Sequence, residues 1–417
     1  MDFKALIAAT DGVKAQIAQA IADAAPGILN TAKAIHADPE LSFEEHRASD
    51  RLNDLLQQHD FEVTRGVADL PTSLVAQRGS GPIVIAIICE YDALPGLGHA
   101  CGHNLIAGAG VAAGIGLGPL VDQLGITLRV IGTPAEEHGG GKVAMIEHGV
   151  FDEVDMSLMI HTVQDGLTYD PRGTSSQAVG RYRATFRGRA AHAAASPHLG
   201  VNAADAVVVT QVSVGLLRQQ LPSDHRVALY VAEAGHVTNI IPETAVVEWE
   251  CRAFSMDEFE VLHDKVKRCF EAGALATGCT VEFESTEPLY EPLIQDETLG
   301  QHWTEAIASL GYDTERKTVL SGGSTDMGNV SRRVPSVHPW MSIPGASTGI
   351  HSHAYTLVAD SEAAYEVMFH GGVAMAWAVA SLVSSPADME CVLSRAAALR
   401  RRFSPDAVSP PGASFEQ

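Results

Sequence analysis

Three short apolar runs, each ended by residues that bind metals or move protons, constrain this chain more than anything else in its sequence. Pro82–Cys89 (PIVIAIIC) is followed by Glu90, Tyr91 and Asp92. Ile126–Ile131 (ITLRVI) leads through Gly132, Thr133 and Pro134 to the pair Glu136–Glu137. Val154–Ile160 (VDMSLMI) runs into His161. A near-continuous apolar run is what a strand buried on both faces requires. Ala/Gly/Leu-rich stretches of helical character separate the three. This βαβ rhythm predicts an open α/β sheet, whose ligands bind beyond the carboxyl ends of its strands. All three runs deliver chemistry at that end.

At 417 residues the chain is too long for one compact core, so two domains are expected. The texture changes near Gly180. In Arg181–Arg187 (RYRATFR), Tyr182, Ala184 and Phe186 share one face, and Val247, Trp249 and Cys251 alternate with Glu248, Glu250 and Arg252. Such alternation marks half-exposed antiparallel strands. Asn202–Leu217 reads as a helix, and a second carries Phe259, Leu262, Val266, Cys269 and Phe270 on one face. Residues 180–288 therefore form an α+β insert in a discontinuous α/β domain of residues 1–179 and 289–400. The tail, 401–417, is Pro/Ser-rich from Ser404 and is expected to be disordered.

Charge narrows the function. With 28 basic against 51 acidic residues, a net charge of −23, the chain lacks the basic face that nucleic acid or an anionic membrane demands. Charges interrupt Met1–Asn30, so no signal peptide is expected there, and no stretch reaches the ~18 uncharged apolar residues of a membrane helix. Six irregularly placed cysteines make no disulfide framework. The expected location is the cytoplasm.

The densest chemistry is His99-Ala100-Cys101-Gly102-His103-Asn104. A Cys-x-His pair on a Gly-rich loop puts a thiolate and an imidazole within reach of one ion; the alternative is a structural loop around a buried free cysteine. No Gly-Lys-Ser/Thr follows, so a phosphate loop is excluded, and without a CxxC pair so is a zinc finger. Adjacent glutamates usually lie on a solvated surface, but Glu136 and Glu137 leave a buried strand. There one can ligate while the other takes a proton from metal-activated water. His161 is either a hydrogen-bonded strand-end histidine or a ligand. Gly349-Ile350-His351-Ser352-His353 offers a further imidazole pair. Cys101, His103, Glu137, His161 and His351 are five plausible ligands, suited to two divalent ions sharing a bridge.

These residues resemble the M20 metallopeptidase family, in its aminoacylase, aminobenzoyl-glutamate hydrolase and dipeptidase-like branch. The carrying motifs run from Asp38-Pro39-Glu40-Leu41-Ser42-Phe43-Glu44-Glu45 through Glu90-Tyr91-Asp92-Ala93-Leu94-Pro95-Gly96, the Cys101 loop and Pro134-Ala135-Glu136-Glu137 to Ile160-His161. They continue in Gly188-Arg189-Ala190-Ala191-His192-Ala193, Asn239-Ile240-Ile241-Pro242, Ser324-Thr325-Asp326-Met327-Gly328 and His351. The resemblance implies two Zn, Mn or Co ions per subunit, with Cys101 as the bridge and His103, Glu137, His161 and His351 completing the sites; His353 competes with His351. It implies Glu136 as general base and Asp92 as the carboxylate that orients a ligand. The insert would be a ferredoxin-like lid and dimerisation domain, making a homodimer. Its His192 and Asn239 would bind the substrate carboxylate or the oxyanion. Arg252 would either clamp a substrate carboxylate or lie on a solvated face. The implied reaction is hydrolysis of a small-molecule amide: an N-acyl amino acid, an aminobenzoyl-glutamate-like conjugate or a dipeptide. The rivals are a carbamate or aromatic-amide hydrolase on the same scaffold and a catalytically silent metal-binding dimer.

Overall fold

The computed structural model describes residues 1–320 and 322–403 and divides into two compact units. The first comprises Met1–Thr174, Ile294–Val319 and the chain from Asn329 onwards. At its centre lies a six-stranded sheet. Its strands include β1 (Glu62–Arg65), β2 (Leu74–Arg78), β3 (Ile83–Cys89), β4 (Ile126–Gly132) and β5 (Met156–Leu158), in the order β1-β2-β4-β3-β5 followed by Ser336–Val337. β3 pairs in parallel with β4 (Ile85 opposite Leu128) and with β5 (Ile85 opposite Met156), so the apolar runs of the sequence are the sheet's middle.

Two features depart from the sequence reading. The sheet is mixed: β2 runs antiparallel to both β1 and β4. The third run is broken, because only Met156–Leu158 joins the main sheet, while His161–Val163 pairs in parallel with Trp340–Ser342. His161 thus opens a second short strand rather than capping a long one.

Helix α2 (His103–Leu117) packs on this sheet, α1 (Gly12–Ala37) packs on α2, and every residue of α2 is buried. The glycines of α2 explain how. A Cβ on Gly110 would lie 2.4 Å from Cys89 Sγ, and one on Gly114 2.3 Å from Val130 Cγ2, so the helix rests directly on β3 and β4. On its other side Gly108 faces Met368 of the Glu362–Val383 helix, which itself presents Gly372 to Ala112. By length and composition His103–Leu124 and Glu362–Val383 would suffice to cross a membrane, where the sequence reading expected no such stretch; both are mostly buried in the fold.

The second unit comprises Ser175–Leu293 and Leu320–Gly328. Its elements are β6 (Ala178–Arg187), α3 (Ala203–Leu217), β7 (Arg226–Glu233), β8 (Thr244–Ala253), α4 (Met256–Thr277) and β9 (Thr280–Ser285). The sheet order is β9-β6-β8-β7, all pairs antiparallel, which is the split βαβ arrangement of a ferredoxin-like fold. β8 alternates strictly between buried and half-buried positions. Its Val247, Trp249 and Cys251 join Phe186 and the buried faces of α3 and α4, with Trp249 and Phe270 rings 5.1 Å apart. This unit is wider than the 180–288 drawn from the sequence and includes a segment placed there in the flanking domain. The backbone explains why: Gln177 N–H donates to Gly323 O, and Gly328 packs against the carbonyl of Glu291.

The Pro386–Phe403 helix extends into the span expected to be a tail; the rest of that tail, from Ser404, lies outside the described residues.

Candidate metal centre

Asp92, three residues beyond the end of β3, organises the site. Its Oδ1 lies 2.8 Å from His103 Nδ1, while its Oδ2 accepts from the Glu137 backbone N–H and the Ser42 hydroxyl, each at 2.9 Å. One carboxylate thereby fixes both an imidazole and the turn that carries the paired glutamates. Burial opposes its ionisation, but His103 and these hydrogen bonds outweigh burial and hold its pKa down at about 2. With Nδ1 committed, His103 presents Nε2 inward, the arrangement in which a carboxylate orients a metal-ligating histidine.

Gly102 lets Cys101 and His103 converge. Its φ is +78°, and a Cβ there would meet Thr162 Oγ1 at 2.3 Å. Cys101 Sγ sits 3.4 Å from His161 Nε2, and His161 Nδ1 is 2.8 Å from the Thr162 carbonyl. Burial, helped by His103, depresses His161 to about 4, so its imidazole is neutral and its Nε2 has a lone pair. On the opposite side, His351 Nε2 is 3.4 Å from Glu137 Oε2.

Ligand atoms of Cys101, His103 and His161 lie within 4.8 Å of one another, and so do those of Cys101, Glu137 and His351. The thiol belongs to both groups. Of the histidine pair near the C-terminus, His351 joins such a group; among the described residues His353 joins none and instead begins a short helix. Glu136 is buried, with Oε2 3.9 Å from His103 Nε2.

The donors fit a cation. His103 Nε2 and Glu137 Oε1 are buried with no hydrogen-bond partner among the described residues, a situation that costs about 1–3 kcal/mol per group unless something else satisfies it. Burial pushes the Cys101 thiol well above its ordinary pKa, and Glu137 adds to this. Burial also disfavours the His103 imidazolium, but Asp92 and its hydrogen bond outweigh burial and hold the proton well above the ordinary range. Protons thus occupy the places where cations would sit, and loading a metal must release them.

The glutamate turn is built with strain. Ala135 has φ +59°, a left-handed conformation that costs a non-glycine residue roughly 1–2 kcal/mol. Its carbonyl accepts from Gly140 and Gly141, and its N–H donates to Glu45 Oε1 at 2.9 Å. Glu45 also accepts from the Phe43 N–H and the Thr72 hydroxyl. The sequence places Glu45 in a motif without revealing this grip. It marks Glu90 only as one of the residues beyond the first apolar run and suggests no role for Lys142 or His338; all three are buried in this unit. His338 lies with its ring 5.8 Å from His161 and with neither ring nitrogen hydrogen-bonded among the described residues.

The remaining candidates belong to the second unit. His192 and Asn239 are brought side by side: the Ala193 N–H donates to Asn239 O, and Ile241 N–H to Ala191 O. His192 Nδ1 accepts from the N–H groups of Ala194 and Ala195, which leaves its proton on Nε2. Arg252 is engaged by Glu250, Nε to Oε1 at 2.8 Å, and by Ser324 Oγ at 3.2 Å. It is a paired cation on the sheet rather than an unoccupied clamp.

An α/β sheet with such donors at its carboxyl edge is the equipment of a metal-dependent amidohydrolase or peptidase, and this chain is one. It belongs to peptidase family M20/M25/M40, whose model matches residues 87–370. It is 39% identical to the Xaa-Arg dipeptidase of Mus musculus, over 91% of each chain. It is 35% identical to a p-aminobenzoyl-glutamate hydrolase polypeptide of Escherichia coli, over 66% of this chain and 60% of that one. Among solved structures, a dinuclear metal-binding M20 peptidase from Bacillus subtilis superimposes with a TM-score of 0.63 at 23% identity, covering 84% of this chain and 96% of its own.

Proposed function

We propose that this enzyme cleaves the amide bond of dipeptides or closely related N-acyl amino acids, using two divalent ions that Cys101, His103, Glu137, His161 and His351 would hold. The observation that carries the reading is the sharing of one buried thiol between two donor groups, His103 with His161 and Glu137 with His351. Bound there, the ions would supply a Lewis acid for the scissile carbonyl and lower the pKa of water towards ~7. The chain's own residues do the rest. Glu136, buried beside His103, takes the proton of the attacking water and returns it to the leaving amine. Asp92 keeps His103 in the tautomer that leaves Nε2 free and holds the Glu137 backbone in register. His192, with its proton on Nε2, is a donor for the oxyanion or the substrate carboxylate, beside Asn239.

The dipeptide preference rests on the relative from Mus musculus, matched over nearly the whole chain. The dimer is part of the same reading. Val208, Val212 and Leu216 form an exposed stripe on α3, four residues apart, and β7 is an edge strand of its sheet. A second copy would cover both.

The test is a substrate panel: Xaa-Arg and other dipeptides, N-acetylcysteine and aminobenzoyl-glutamate. Each is assayed with protein as purified, chelated, and reloaded with Zn²⁺, Mn²⁺ or Co²⁺. Turnover of a dipeptide that disappears on chelation and returns with one ion is expected. Full turnover by the chelated protein, or none by protein loaded with any of the three, would overturn the proposal.

A further inference from the structure

We propose that the buried ion pair of Lys142 with Glu90 aims Glu136, which makes these two positioning residues for the proton transfer. This rests on the reading of Glu136 as general base and deepens it.

Glu136 lies in the turn 133–140, between the end of β4 and the Gly141–Glu147 helix. That turn is poorly made to hold a side chain still. It ends in Gly139 and Gly140, with φ of +106° and +63°, and Gly141 follows directly; glycines lose more freedom on ordering than any other residue. Its order is imposed from β3. The Thr133 N–H and hydroxyl donate to Cys89 O at 2.8 and 3.1 Å, which fixes the entry. At the exit, one residue past the glycines, Lys142 Nζ lies 2.5 Å from Glu90 Oε1, and both side chains are fully buried. Two consecutive residues at the end of β3 thus grip both ends of the turn. Within it, Glu137 is held further by Asp92 at its N–H and is a ligand in the two-ion reading. Glu136 is not a ligand there, so no ion fixes its aim and the backbone of the turn must set it.

Charge adds to this. A carboxylate oxygen of Glu90 lies within 4.8 Å of one of Glu136, and both residues are buried. Two carboxylates so close repel strongly away from water. The Lys142 ammonium cancels the charge of Glu90, so the pair gives Glu136 a neutral neighbour. Removing one member should therefore do more damage than removing both. Glu90 left alone repels Glu136, whereas two apolar side chains only loosen the turn.

The experiment reads kcat, KM and zinc content of the full metal-loaded chain, with the dipeptide that the parent turns over best. Glu90→Leu/Lys142→Met removes both charges and keeps the volume, an exchange that buried ion pairs often tolerate. It should keep two Zn²⁺ and a KM within about twofold of the parent's, while kcat falls at least about tenfold; misplacing a catalytic group by about 1 Å costs up to about 10²-fold. Lys142→Met alone should lose more kcat than the double variant. Each change is then repeated in Glu136→Gln. There the low residual kcat should stay within about twofold, because the residue being aimed is gone. A double variant with parental kcat, or equal losses with and without Glu136, means that the pair only holds the fold and overturns the proposal. If the double variant does not fold, Lys142→Arg decides. It keeps a cation on Glu90, but its longer planar head displaces the turn, so kcat should fall at least about tenfold with Glu136 present and not in Glu136→Gln. No fall, or an equal fall in both, overturns the proposal. Full turnover by Glu136→Gln itself overturns the general-base reading, whatever the pair variants do, and this inference with it.

Discussion

Glu45 has no place in the chemistry proposed above, yet it holds the turn that presents Glu136 and Glu137, and Glu45→Gln isolates the cost of its charge. Burial, with Asp92 nearby, pushes its pKa from the ordinary 4.5 up to about 7. Between those values the folded protein keeps a proton that the unfolded chain has lost. Stability therefore falls as pH rises through this window, the penalty being absent below about 4.5 and complete above about 7. At about 1.4 kcal/mol per unit, the swing is roughly 3 kcal/mol. Glutamine preserves the contacts: its oxygen accepts from Phe43 and Ala135, and its amide faces the Thr72 hydroxyl, which can turn to accept. Urea unfolding of metal-free parent and variant at pH 5 and pH 8 reads the difference. The variant should gain on the parent by about 2–3 kcal/mol between the two pH values. Parallel behaviour, within about 0.5 kcal/mol, would show that Glu45 is ionised without penalty and refute the reasoning.

Glu136→Gln should retain both ions by metal analysis while turnover falls by about 10²–10⁴-fold, the worth of a positioned general base. Asp92→Asn should weaken metal binding by about 10–100-fold, because it loosens the His103 ring and the Glu137 backbone together; titration with Zn²⁺ measures it. Gly114→Ala drives a Cβ to 2.3 Å from Val130 and should cost about 1–3 kcal/mol in denaturant unfolding without changing metal content. Val212→Glu places a charge in the exposed stripe of α3 and should yield monomers in sedimentation if a second copy covers it.

Much of the site was legible because its residues follow buried strands. β3 is apolar throughout and β4 nearly so, broken by Thr127 and Arg129, so their ends are conspicuous, and Asp92, Glu136 and Glu137 sit just beyond them. The Cys-x-His spacing was readable for a similar reason: the glycine between the two allows a turn few other residues make. The mixed edge of the sheet was not legible, since β2 (LVAQR) is short and only partly apolar and its direction is set by pairing with β4. Lys142 was invisible because a lone lysine after three glycines reads as solvated; only tertiary packing puts it against Glu90. Glu45 likewise looks like one of two surface acids until the fold brings Ala135 to it. In the sequence Arg252 suits either a clamp or a solvated charge, and its partner Glu250, two residues away on the same strand, is the signal that it is paired.

The most direct test of the two-ion centre is anomalous diffraction from crystals of the Zn²⁺-loaded protein. Two peaks about 3.5–4 Å apart are expected, both bonded to Cys101 Sγ, one also to His103 and His161 and the other to Glu137 and His351. A single peak, or two that do not share Cys101, would contradict it.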